Sequence, residues 1–218
     1  LSKIFKSMKP VEVPPMESIT DEKERQRARA YYNQQHYFDN IDFSDERFIR
    51  THPTVFYEKL AYFKENLMYP IPDSIISSID DLIVKTKGSQ EMYKYLVIDF
   101  TKEYEKSKIM CMDKVKLHMY NKYFLNDTRT TWLDEDTRKK VEELVDKMKY
   151  SQCGMKAQSL VVPDTTGTYI GLNQLKNKYV VVYFWSATCG HCKKTTPVLH
   201  DVYKKLKTKY DVEVFTIS

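Results

Sequence analysis

Cys189 and Cys192, three residues apart with Gly190 and His191 between them, are the residues of this chain whose type and spacing could do redox chemistry. The preceding run Tyr179 to Ser186 is apolar and reads as a buried strand, and Lys193 to Tyr210 has the period of an amphipathic helix. Cys189 is thereby placed at a helix N-terminus. There the unpaired backbone N–H groups and the positive end of the macrodipole favour thiolate over thiol, and thiolate is the nucleophile in disulfide exchange. A second cysteine one helical turn on can close on the first, which is the layout of a dithiol/disulfide centre.

Competing chemistries fit the residues less well. Tetrahedral zinc needs two further ligands, and the sequence has neither a second C-x-x-C nor a paired His/Cys cluster. Covalent haem attachment needs histidine where Lys193 stands. No metal or cofactor is expected. His36, His52, His118 and His200 are isolated and read as structural, and Trp185 reads as a core residue. Of the remaining cysteines, Cys111 lies in an apolar stretch and reads as a small buried hydrophobe. Cys153 falls in a connector, where a mixed-disulfide role stays open.

The elements that must position this centre follow from glycine and charge. Of five glycines, only Gly88 precedes Gly154, so the first part favours helices with few tight turns. Residues 1–17 read as an extended arm. Residues 18–153 read as a helical domain: Ser18–Phe38 capped by Thr20, a helix opened by Pro53, one capped by Asp73, then Ser89–Lys106, Ile109–Phe124 and Asp134–Lys149. Residues 154–218 change character. Ser159–Pro163 and Tyr169–Ile170 flank the turn Asp164–Gly167, and strand, cysteine helix and strand Val212–Ser218 then form a βαβ unit. The fold class predicted is α + α/β, an all-α domain followed by a hairpin and a βαβ unit.

The first 153 residues balance 26 Lys+Arg against 26 Asp+Glu, whereas the last 65 hold nine Lys against four acidic residues, so the whole net charge of +5 lies there. Its lysines recur on one helix and read as a solvated face; no basic cluster with interleaved aromatics suggests nucleic acid. No run approaches the roughly 18 apolar residues that would span a bilayer.

The segment Lys178 to Pro197, with its apolar strand, Trp185, the Cys189-Gly190-His191-Cys192 centre and Pro197 five residues later, resembles the active-site segment of thioredoxin-like proteins, and most nearly TlpA/ResA-type redoxins. The stretches Pro72–Ile76, Tyr104–Met110, Met112–Asp113 and Trp132–Asp134 are similar to an uncharacterised helical domain that precedes redoxin domains in exported proteins of Bacteroidota. The resemblance implies a partial thioredoxin-like fold over residues 154–218 and a thiol:disulfide oxidoreductase. Cys189 is then the nucleophile, Cys192 the resolver, Gly190 and His191 tune the redox poise, and Trp185 and Pro197 shape the site. It also implies a disulfide-containing substrate, an electron-donor thiol protein and a periplasmic or cell-envelope location, with reductase favoured over oxidase.

The sequence departs from that pattern in three places. Thr188 stands where thioredoxins usually carry tryptophan, and Tyr183 falls where many carry a buried carboxylate. The chain stops at Ser218, ahead of the cis-proline loop the family uses to hold substrate, so the βαβ unit is expected to be unstable alone. A peroxidase of the peroxiredoxin type is disfavoured, because its proline and threonine positions fall on Val182 and Ser186. The alternative reading is a binding or scaffold protein whose helical domain recruits a partner.

Overall fold

Asp21, Ser89 and Asp134 each place a side-chain oxygen on an unpaired N–H of a first helical turn, at 2.7, 3.1 and 2.7 Å. In the computed structural model, which describes residues 2–218, these caps open the three longest helices of the unit Leu1–Met155. That unit runs through α1 (Ser2–Ser7), α2 (Glu22–His36), α3 (Tyr57–Tyr62), α4 (Pro72–Val84), α5 (Gln90–Glu105), α6 (Asp113–His118) and α7 (Glu135–Met148). A 3₁₀ turn covers Glu46–Arg50. Helices α3 and α6 each run on into wider π turns, Phe63–Leu67 and Met119–Leu125.

Several boundaries differ from the sequence reading for local reasons. The cap of α2 is Asp21, not Thr20, and α4 begins with Pro72 at its first position, where a missing N–H costs nothing, so Asp73 sits in the first turn. Tyr57, not Pro53, starts α3. The arm is not wholly extended. Ser2–Ser7 is helical, Ile4 packs on the core, and Ser7 is buried with its carbonyl held by Lys59; Leu1 lies outside the described residues. Gly88 marks a close approach, since an added Cβ would sit 2.5 Å from the Cβ of Ser44.

The core of the helical unit centres on α5. Met92, Tyr93, Leu96, Val97 and Phe100 repeat at the spacing of one broad helical stripe, and all five are fully buried. Ile75, Ile79, Leu82 and Ile83 of α4 and Val115 and Met119 of the α6 segment join the same cluster. Phe38, Phe43, Phe56 and Phe63 extend it, with ring centroids 5.0 to 6.0 Å apart in tilted or edge-on pairs. Just beyond α2, Phe38 is buried and Tyr37 packs on the core, whereas Tyr31 within the helix is exposed.

A polar clamp joins α4 to the α6 segment. The Asp80 carboxylate accepts from His118 Nε2 at 2.8 Å, from Lys122 Nζ at 2.7 Å and from the Tyr123 hydroxyl. Burial alone would raise the Asp80 pKa; the three hydrogen bonds outweigh it and hold the group at about 2. A carboxyl depressed in the folded state contributes stability above its unfolded pKa near 3.8, and that stability is lost as pH falls toward about 2. Asp80→Asn is therefore expected to lower stability at pH 7 by about 1–2 kcal/mol, allowing for solvent screening, and to flatten the acid limb of the stability curve between pH 4 and 2. Urea titrations at pH 7, 4 and 2.5 read this; an equal loss for the variant at every pH would contradict it.

Cys111 is not a buried hydrophobe. It lies in the turn ahead of α6 with φ of 70° and forms a disulfide with Cys153, across a Cα separation of 5.4 Å. The bridge closes a segment of 42 residues and fastens the chain beyond α7 to the α5–α6 connection. On a chain-entropy account such a loop is worth up to about 4 kcal/mol against global unfolding.

The unit Lys156–Ser218 holds β1 (Val161–Pro163) and β2 (Tyr169–Gly171), paired antiparallel with Val162 opposite Ile170. It continues through β3 (Tyr179–Phe184), α8 (Gly190–Lys207) and β4 (Val212–Ile217). Strands β3 and β4 pair in parallel, Tyr179 opposite Val212 and Phe184 opposite Ile217, and α8 is the crossover between them. The buried-strand reading of Tyr179–Ser186 is corrected here. Tyr179, Val181 and Phe184 are exposed, and of the hydrophobic residues of β3 and β4 only Val212 and Phe215 are buried. Among the described residues no helix is long and apolar enough to cross a membrane.

Candidate active site

The parallel pair β3–β4 carries the chain to the cysteines. At the end of β3, the Trp185 N–H donates to the Ile217 carbonyl at 2.9 Å, which holds the exit of the strand against β4. The chain then turns. The Ser186 hydroxyl meets the Thr188 hydroxyl at 2.9 Å and accepts the Thr188 N–H, and the Cys189 N–H donates to the Ser186 carbonyl at 3.1 Å. That turn delivers Cys189 as the N-cap of α8, with extended backbone at φ −78° and ψ 114°.

In the capping position the Cys189 sulfur does what a serine or aspartate oxygen does elsewhere. Its Sγ accepts the Cys192 backbone N–H at 3.4 Å. The neighbouring Cys192 side chain, then the Cys192 N–H and, less, the His191 backbone, lower the Cys189 pKa below that of an ordinary thiol against an opposing desolvation. Both sulfurs are free and half-buried. An accessible, stabilised thiolate one turn from a second thiol can attack a disulfide and be resolved within the same helix turn.

The other residues singled out from the sequence fall around this pair unevenly. His191 contributes its backbone N–H; among the described residues its ring has no hydrogen-bond partner. An added Cβ at Gly190 meets nothing within 4 Å, so steric room does not demand glycine there. Pro197 lies inside α8 and cannot supply the N–H that the Lys193 carbonyl would take. Trp185, read as core, is 38% exposed. Among the described residues no group of three or more His, Cys, Asp or Glu could hold a metal ion.

One connection was missed from sequence. The Tyr183 hydroxyl lies 3.0 Å from the Thr196 hydroxyl, which donates to the Cys192 carbonyl at 2.7 Å. Because Thr196 Oγ1 spends its proton on that carbonyl, Tyr183 is the donor to it. This chain ties β3 to the first turn of α8. The signal lay in Thr196 standing four residues after Cys192, the spacing at which a helical threonine bonds back to a carbonyl.

Comparison with known proteins agrees with this division. The family described as "Domain of unknown function (DUF5106)" matches residues 2–151, and the AhpC/TSA family matches residues 153–218. The thiol-disulfide oxidoreductase ResA of Bacillus anthracis is 39% identical over 67 residues, 31% of this chain and 38% of the relative. ResA of Bacillus subtilis strain 168 is 37% identical over 65 residues, 30% of this chain and 36% of the relative. The chain thus spans well under half the length of these relatives. The crystal structure of a thioredoxin-like protein from Bacteroides caccae superposes with a TM-score of 0.65 at 17% identity, covering 95% of this chain and 72% of that one, a likeness of fold.

Proposed function

We propose, for a chain that belongs to the DUF5106 family and carries a redoxin segment behind that domain, that it serves as a thiol:disulfide oxidoreductase acting through Cys189 and Cys192. The observation that carries the reading is the Cys189 sulfur at the N-cap of α8, stabilised by the thiol and N–H of the cysteine that would resolve it. The similarity of residues 153–218 to ResA proteins supports it.

The chemistry is a pair of exchanges. The Cys189 thiolate attacks one sulfur of a substrate disulfide, forming a mixed disulfide and expelling a thiolate that takes up a proton. Cys192, deprotonated, then attacks Cys189 Sγ and expels the second substrate thiolate. Two electrons pass to the substrate, and the pair ends as the Cys189–Cys192 disulfide. A donor dithiol protein restores it. Tyr183 and Thr196 are positioning residues in this scheme, holding the backbone of the resolving cysteine.

The proposed direction is reduction of protein or small-molecule disulfides. A periplasmic or cell-envelope setting is part of the proposal, and the Cys111–Cys153 bridge supports it, since disulfides form in oxidising compartments. Equilibration with glutathione redox buffers tests the direction. A reductase is expected to titrate at roughly −270 to −200 mV, the span of thioredoxin and the glutaredoxins, whereas a midpoint near roughly −120 mV would make the centre an oxidant.

A further inference from the structure

The Cys111–Cys153 disulfide sits where a bond meant only as a staple would be poorly protected. Cys153 is exposed, in a stretch without regular structure between the end of α7 and the boundary at Lys156, while Cys111 is half-buried. An incoming thiol therefore reaches the Cys153 sulfur more readily. Cys111 also holds φ at 70°, a left-handed conformation that an L residue with a side chain occupies at a cost and leaves once it is free to do so. Beside the bridge a hollow of about 370 Å³ is lined by Lys108, Met110, Cys111, Asp113 and Met148, and Met110 is 84% exposed.

Little else fastens the segment that the bridge retains. The Gln152 amide donates to Asp113 Oδ2 at 3.0 Å and to the Met148 carbonyl at 2.9 Å, and its Oε1 is buried with no partner. The Lys149 side chain pairs with Asp146 and lies over the Tyr150 ring, 5.0 Å from its centroid, both within three residues of it in the chain. None of the residues 149–155 belongs to the hydrophobic core. Loss of the bridge would free this segment and leave the α4–α5–α6 packing intact.

We propose that Cys111–Cys153 is a second, reducible thiol–disulfide site, attacked at Cys153, whose reduction releases residues 149–155 from the helical unit. The reductant is a dithiol, either a small molecule or a thioredoxin-class protein. Its first thiolate bonds Cys153 Sγ and breaks the S–S bond, and Cys111 leaves as thiolate and is protonated. The second donor thiolate displaces Cys153, which is protonated in turn, so that two electrons move to the pair and the donor becomes a disulfide. This does not depend on the function proposed for Cys189 and Cys192.

The test uses the whole chain carrying Cys189→Ser and Cys192→Ser, so that the bridge is the only source of thiols. Millimolar dithiothreitol in native buffer is expected to expose two alkylatable thiols, to speed tryptic cleavage after Lys149 and Lys156 by about tenfold or more, and to leave far-UV circular dichroism unchanged. Glutathione in place of dithiothreitol, quenched early with acid, is expected to leave its adduct on Cys153. The variant with Cys111→Gly and Cys153→Ser added, which relieves the left-handed position, is expected to show the fast cleavage without any reductant. The proposal is overturned if the thiols appear only in denaturant, if cleavage is unchanged on reduction, if reduction unfolds the helices, or if the adduct maps to Cys111.

Discussion

Cys192→Ser is expected to release one equivalent of thionitrobenzoate from Ellman's reagent and to retain the second on Cys189, where the unsubstituted chain releases two. The count follows from the geometry. Cys111 and Cys153 are joined and contribute nothing to a native titration on the minute scale, so both equivalents come from the α8 pair. Cys189 attacks, and one thionitrobenzoate leaves. Cys192, whose own N–H points at the Cys189 sulfur at 3.4 Å, then displaces the other. Serine at 192 cannot. Cys189→Ser removes the thiol that the helix start stabilises, and the first step is expected to slow by about tenfold or more, because an ordinary thiol is only a few per cent thiolate at pH 7. Stopped-flow absorbance with peptide mapping of the adduct reads both results. Two equivalents from Cys192→Ser, or an undiminished rate in Cys189→Ser, would remove the assigned roles.

The second large effect belongs to the helical unit. Phe100→Ala is expected to cost about 3–5 kcal/mol, because the ring is fully buried at the centre of the α5 stripe and its removal leaves a cavity that close-packed neighbours fill only in part. At this domain size that is a fall of roughly 10 °C in Tm. Met110→Ala, at a side chain 84% exposed, is the control and is expected to stay within about 0.5 kcal/mol. Urea unfolding followed by circular dichroism separates them. A loss below about 1 kcal/mol for Phe100→Ala would mean that the core lies elsewhere.

What the sequence made legible was whatever is encoded locally. The stripe from Met92 to Phe100 repeats every three to four residues and can be read without a partner, whereas Ser89, read as the first residue of that helix, is its cap. The C-x-x-C spacing, the strand before it and the helix after it are local in the same way, so the order β3–α8–β4 was readable. Resolution was lost where neighbouring residues compete for one role, as Thr20 and Asp21 do at the cap of α2. It was lost more completely where the outcome depends on tertiary approach. Nothing within a few residues of Cys111 reveals Cys153, which lies 42 positions away and is brought beside it by the tertiary fold. The burial of β3 was overread because an apolar run implies cover on both faces of a parallel sheet, and cover comes from elements packed on those faces, which the run itself does not encode. The Tyr183–Thr196–Cys192 connection likewise needed the strand and helix set side by side.

The central claim is that the N-cap position turns Cys189 into a stabilised thiolate. Its most direct measurement is the rate of Cys189 alkylation by iodoacetamide as a function of pH, with mass spectrometry assigning the modified residue. The groups around its sulfur predict a rate that begins to rise with a first midpoint below the ordinary cysteine value of about 8.5. A midpoint at or above that value would contradict the account.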